Sequence, residues 1–409
     1  MRSSGSTGSA SSREPRSTGV CSSVRSRPLL DSSGMAGFLL GAAGMFAVTY
    51  STQAILPQLG RTFHVSPSQA GLTISIVILA LAIGAWIWGP LSDRWGRKRS
   101  IVLASLLLVA PTIGAAAAPT FGALLAFRAL QGLCMPGLLT AGVPYITEVF
   151  APRIGGRAMG RYVTALVAGG LIGRIAPALV ATRLDWRWGI GMLALLPLAA
   201  ALVMRRTLVD LPPRPIEGGR WSGVGRQLRN RQLLQATAAG SAFYFTFVGT
   251  FSYVVFRLER PPFSFGPAAG SAVFALWLLG FSGPALGTLA DRIGWRRLAF
   301  AAFAATAAGL AISLPAYLPT LVLGLALVTL ANWSGVTAAQ LGVAEASPVD
   351  RGTASALYFS IYYLTGAVGG YVPGLAWERY HWIGVAAAGW IAVAVAATVL
   401  TLGGRRTIA

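Results

Sequence analysis

The chain has 409 residues, 55% of them hydrophobic and 11% charged, and 33 basic against 12 acidic residues give it a formal net charge of +21. Soluble globular domains carry about a quarter of their residues as charge, so the composition excludes one and describes an integral membrane protein. Its apolar runs are about twenty residues long and rich in Ala, Leu, Gly and Val, which points to spanning helices rather than to the alternating segments of about ten residues that make spanning strands.

Residues 1–34 are rich in Ser, Gly and Arg, with the two acids Glu14 and Asp31. This tail holds too few large hydrophobes to bury a core, and it reads as a disordered cytoplasmic extension. Its Ser/Arg bias superficially resembles an organellar transit peptide, and Met35 offers an alternative start. Twelve spans follow: 36–56, 71–91, 100–118, 121–146, 159–181, 188–204, 233–256, 268–290, 298–315, 319–342, 353–376 and 383–402. They divide into an N-terminal bundle (35–205) and a C-terminal bundle (233–403), joined by an arginine-rich linker (206–232) and followed by a short tail (404–409). Placing alternate loops on opposite sides puts 25 of the 33 basic residues on the side of the N terminus, six on the other side and two inside helices. The positive-inside rule therefore puts both termini in the cytoplasm, and that distribution excludes a nucleic-acid partner. Cys21 and Cys134 imply no disulfide framework.

Between the second and third spans lies Gly89-Pro90-Leu91-Ser92-Asp93-Arg94-Trp95-Gly96-Arg97-Lys98-Arg99, a charged loop between two long uncharged runs. It returns 198 positions later as Gly287-Thr288-Leu289-Ala290-Asp291-Arg292-Ile293-Gly294-Trp295-Arg296-Arg297, so the chain is a tandem repeat. A second parallel links Ile146-Thr147-Glu148 to Val343-Ala344-Glu345.

The charged loop and its degenerate copy resemble the connection between helices two and three of the major facilitator superfamily, the twelve-helix secondary transporters. The resemblance covers nearly all of the chain from Ser33. It implies an all-α membrane protein with twelve transmembrane helices in two pseudo-symmetric six-helix bundles and a site at their interface. Gly89 and Gly96 permit a tight turn. The resemblance further implies that Asp93 meets the start of the eleventh helix near Gly352, pairs with Arg97, and latches the cytoplasmic side. Glu148 is placed to pair with Arg97, Arg157 or Arg351. Trp295 replaces the first arginine in the second copy, which weakens the case for a latch at Asp291.

Arg128, in Phe127-Arg128-Ala129-Leu130-Gln131-Gly132, lies within the fourth span, and an intramembrane charge marks a functional site by default. Arg-x-x-Gln-Gly is similar to the superfamily's helix-four motif, which the resemblance links to proton coupling; the alternative is an arginine packed against carbonyls of the first helix and Gln53. Arg174 stands in a glycine- and proline-rich stretch of the fifth span that loosely matches drug:proton antiporters, and its alternative is snorkelling toward the outer interface. By family analogy the first, fourth, seventh and tenth helices line the cavity, which brings in Tyr50, Gln53, Gln131, Tyr244, Phe247, Asn332 and Trp333.

None of the twelve acids falls in the middle of a span. A proton-trading carboxylate inside the bilayer is therefore missing, and two arginines without an acid favour a neutral or anionic solute. No nucleotide-binding glycine loop, His-Glu-x-x-His or Cys-x-x-Cys occurs, which leaves no cofactor, no metal and no enzyme. The expectation is a monomeric secondary transporter of the plasma or inner membrane. It moves a small organic solute by alternating access: a drug or metabolite exporter driven by protons, or else a proton-independent facilitator or importer of a neutral or anionic solute.

Overall fold

The computed structural model describes residues 28–211, 223–348 and 350–402. Much of the expected tail, the middle of the linker and the C-terminal tail lie outside them. Among the described residues the regular structure is entirely helical. The spans are α1 (Ser32–Phe63), α2 (Pro67–Trp95), α3 (Arg97–Ala116), α4 (Phe121–Phe150), α5 (Arg157–Val180), α6 (Trp186–Thr207) and α7 (Arg231–Glu259). Then come α8 (267–293), bent along its length, α9 (Trp295–Ile312) and α10 (Leu318–Ala346). One 52-residue helix, Arg351–Leu402, breaks at His381, where φ is 51° and ψ −135°, and so makes α11 (351–380) and α12 (382–402). Among the described residues this gives twelve helical segments in the expected order; nine of the helices, with Arg351–Leu402 taken as one, are long and apolar enough to cross a membrane.

The helices extend beyond the spans read from hydropathy. The first begins at Pro28, inside the expected tail, and the short helix Val224–Leu228 occupies the described end of the linker. Asp350 anchors that segment by accepting from Arg226 Nη2 at 2.9 Å, and hydrogen bonds from Thr353 and Arg226 hold its carboxyl below the usual range. The charged connection at 89–99 is not a loop: α2 continues through Pro90 to Trp95, and Gly96 alone separates it from α3. At φ 91° and ψ 148° Gly96 occupies a region essentially reserved for glycine, so one residue suffices to reverse the chain. Gly294 does the same between α8 and α9.

Where the sequence shows one continuous first span, α1 is interrupted. Regular helix ends at Thr49, Tyr50–Thr52 form a turn, and a short 3₁₀ segment, Gln53–Ile55, follows. The local cause is a run of hydroxyls that compete for backbone carbonyls: Thr49 Oγ1 donates to Met45 O and Ser51 Oγ to Val48 O, both at 2.9 Å. Against this helix α5 packs through Gly169 and Gly173, where an added Cβ would strike the backbone of Ala43 and Ala47. Small residues let helix axes approach closely in a membrane, and here they bring the next residue, Arg174, to the break in α1.

The two bundles meet unevenly along the membrane normal. On the face opposite Gly96 and Gly294, called the far face here, Ser68 N donates to Glu378 Oε1 at 2.9 Å, Arg61 pairs with Glu259, and a Cβ on Gly71 would collide with the carbonyl of Gly370. On the basic face, which carries the glycine turns, Gly156 and Gly160 at the start of α5 and Gly352 at the start of α11 have open space within 4 Å of where a Cβ would sit.

Candidate functional site

The interruption in α1 is held from two sides by the two buried arginines. Arg128, wholly inaccessible, donates through Nε to Thr73 O at 2.9 Å and through Nη2 to Thr49 O at 2.6 Å. Its Nη1 donates to Val48 O at 2.8 Å, Gln131 Oε1 at 2.8 Å and Ser51 Oγ at 3.2 Å. The helix stops at Thr49, so the carbonyls of residues 48 and 49 lose their usual i+4 amide donors, and a guanidinium with five donors in a fixed fork suits several acceptors at once. Gln131 completes the unit by donating to Thr112 Oγ1 at 3.2 Å. Gln53, the residue expected beside Arg128, is absent from this set.

Gln53 instead serves Arg174. Arg174 Nε donates to Gln53 Oε1 at 2.7 Å and Nη1 to the carbonyl of Gly170, also at 2.7 Å. Arg174 does not snorkel: it is as inaccessible as Arg128, and its guanidinium carbon lies 3.8 Å from the ring centre of Tyr50, 4.4 Å from Trp277 and 5.5 Å from Phe274. The last two rings belong to α8 of the opposite bundle, so the cation is shared across the seam. From the other end Gln53 Nε2 donates to Ser252 Oγ on α7 at 3.1 Å, and the hydroxyls of Tyr50 and Tyr244 meet at 3.3 Å.

An aromatic wall surrounds this junction. Phe247 lies 4.5 Å from Phe251 and 5.4 Å from Trp277, and Trp277 meets Trp333 at 5.2 Å. Tyr244 stacks on Tyr362 at 4.2 Å with 7° between ring planes, and Tyr358 continues the column. Asn332 is buried, and its Oδ1 has no hydrogen-bond partner among the described residues.

The structure thus gathers Tyr50, Gln53, Arg174, Tyr244, Phe247 and Trp333 around the seam, with Asn332 next to Trp333 in sequence, while Arg128 and Gln131 form a separate unit inside the N-terminal bundle. Reading only the first, fourth, seventh and tenth helices as lining misses Phe274, Trp277, Tyr358 and Tyr362. For α11 a signal existed, because Tyr358 and Tyr362 are four apart and share a helix face. For Trp277 none did, since α8 is 3₁₀-wound over Ala272–Ser282 and its side chains do not follow α-helical spacing.

The expected latch residues divide between the bundles. Gly89 and Asp93 lie in the last turns of α2, and Gly96 makes the turn to Arg97, which pairs with Glu148. Glu148 sits in a π-helical turn, Ile146–Phe150, at the end of α4. Asp291 and Arg351, on the C-terminal bundle, are exposed. Trp295, equivalent to Arg97, is buried against α10, where a Cβ on Gly342 would stand 2.9 Å from its ring.

Comparison with known proteins gives a consistent picture. The family model described as Major Facilitator Superfamily matches residues 38–370. An uncharacterized MFS-type transporter, YybF of Bacillus subtilis strain 168, is 31% identical over 359 residues, 85% of this chain and 88% of the relative. The inner membrane transport protein YnfM of Escherichia coli K12 is 28% identical over 359 residues, covering 85% of each. Among solved structures, a bacterial homolog of the human lysosomal transporter Spinster, inward-facing and unoccupied, superposes with a TM-score of 0.74 over 93% of this chain and 98% of its own, at 17% identity.

Proposed function

The chain belongs to the major facilitator superfamily, and from that premise we propose that it carries a small neutral or anionic organic solute across a cell membrane by alternating access at the Tyr50–Arg174–Trp277 junction. It is a secondary transporter of small solutes and not an enzyme. The observation that carries the reading is the seam itself: polar bonds and glycine contacts close the far face, and Tyr50, Gln53, Arg174 and Trp277 join the two bundles at a buried junction. A junction between repeats, sealed toward the far face, is what rocking of two bundles would open. The excess of basic residues at the glycine turns orients that face to the cytoplasm, in an inner or plasma membrane, with both termini inside.

The choice of solute follows from charge. The junction offers an arginine, indole and amide groups, and no carboxylate lies in the middle of a span. A cation would add charge to a cation in low dielectric, which is costly. A second reading, proton-driven export, draws on the Arg128–Gln131 unit in the helix-four motif. Purified protein in liposomes, screened with labelled solutes with and without an imposed pH gradient, separates the two. Uptake indifferent to the gradient supports facilitated movement, and uptake that requires it supports the antiporter.

A further inference from the structure

The two buried arginines are partnered unequally. Arg128 reaches five acceptors, whereas Arg174 reaches two, and its Nη2 has no hydrogen-bond partner among the described residues. Within those residues no ion pair reaches Arg174, and aromatic faces surround it. The indole nitrogen of Trp277, whose ring centre lies 4.4 Å from the Arg174 guanidinium carbon, is orphaned as well, and so is that of Trp333, which lies against Gly280. A Cβ on Gly170 would stand 3.0 Å from Arg174 Nη1 and 3.1 Å from Trp277 Nε1, closer than ordinary van der Waals contact, so the two side chains close over Gly170 and leave no room there for a side chain.

A guanidinium stays protonated, and buried donors left unmade are costly. Unmade donors of this kind suit an acceptor, and an anionic one offsets the uncompensated charge as well. We propose that, when the bundles part, Arg174 Nη2 and Trp277 Nε1 donate to the acidic oxygens of a small organic anion, with the rings of Tyr50, Phe247, Trp277 and Trp333 flanking its apolar body. This assignment rests on the transport reading above and narrows its solute to anions. Arg174 and Gly170 are then the residues that set specificity, the first by charge and the second by letting Arg174 and Trp277 pack side by side over it.

Benzoate, benzamide and benzylamine, three ligands of one shape and different charge, test this on the full-length purified protein. Quenching of tryptophan fluorescence and thermal shift report binding. The expected result is binding of benzoate at least tenfold tighter than of the amide, none of the amine, and a loss of at least tenfold in benzoate affinity in Arg174→Gln and in Gly170→Ala. Arg174→Lys should recover part of the loss, and Arg183→Gln, an exposed arginine remote from the junction, should bind as wild type. Benzoate affinity unchanged in Arg174→Gln, equal binding of the amine, or no benzoate response in folded wild-type protein overturns the proposal. Counterflow in liposomes keeps the two levels apart: movement of only neutral or cationic solutes removes the anion assignment and leaves transport standing, whereas movement of no solute of any charge removes transport itself.

Discussion

Gly96 and Gly294 stand 198 positions apart and share one backbone conformation, φ 91° with ψ 148° in the first and φ 84° with ψ 147° in the second. The internal repeat is therefore conserved at the level of single dihedral angles in the turn between the second and third helices of each bundle. Any side chain at these positions pays for a left-handed extended backbone, typically about 1–3 kcal/mol. Gly96→Ala and Gly294→Ala should each cost stability in that range, read as a lowered thermal midpoint of the purified protein. At Gly294 nothing lies within 4 Å of an added Cβ, so the loss there is strain alone. A wild-type midpoint in Gly294→Ala would contradict it.

The residue after each glycine is where the halves part. Arg97 pairs with Glu148, side chains 19% and 27% exposed, whereas Trp295 fills an apolar contact with α10. A partly exposed pair contributes up to about 1 kcal/mol, and truncating a buried tryptophan costs about 3–5 kcal/mol. Trp295→Ala should therefore destabilise the protein far more than Arg97→Ala. If the pair belongs to a latch that resets the basic face, Arg97→Ala should slow turnover while leaving solute affinity near wild type, and the exchange of Arg97→Glu with Glu148→Arg should restore part of the rate. Initial-rate measurements in liposomes decide; a double exchange no better than either single variant would remove the pair from the latch.

Much of this architecture was legible from hydropathy and one repeated motif, because the bilayer forces each span to be long and uncharged. Helix ends were less legible. Hydropathy records where charge begins, while hydrogen bonding carries α2 through Asp93 and Arg94 to a single glycine. The break in α1 was hidden because Thr49, Ser51 and Thr52 are compatible with a continuous apolar span, and only the carbonyls taken by Arg128 reveal that the helix has stopped. Both intramembrane arginines were found from sequence. Their different partners were not, since partner choice depends on which helices cross, and the ring of Trp277 over Arg174 comes from the other bundle.

Closure of the far face depends on how nearly α2 and α11 can touch. A Cβ on Gly71 would collide with Gly370 O and the hydroxyl of Tyr253, which itself donates to Gly370 O at 2.8 Å. Gly71→Val should wedge these ends apart and bias the transporter toward opening at the far face. A cysteine placed at Ser252 in that variant should react faster with an impermeant maleimide added from the far side than the same cysteine in the parent. Unchanged labelling would show that the contact is incidental to closure.

The role of Arg128 is tested by measuring stability and transport on the same variants. Its guanidinium donates to the carbonyls of Val48, Thr49 and Thr73, so Arg128→Ala removes three buried charge-assisted hydrogen bonds. Hydrogen bonds to charged groups contribute about 1.5–3 kcal/mol each, and they are not additive. Arg128→Ala should therefore cost at least about 2 kcal/mol of stability as well as abolishing transport. Arg128→Lys keeps the charge and loses the planar fork, so it should fall between alanine and wild type on both measures. A staple acts by holding the α1 break in shape, and that break carries Tyr50 and Gln53 to Arg174, so stability and transport should decline together across the series. Arg128→Ala with wild-type melting and no transport would separate them, and would move Arg128 from holding the site to coupling its movement.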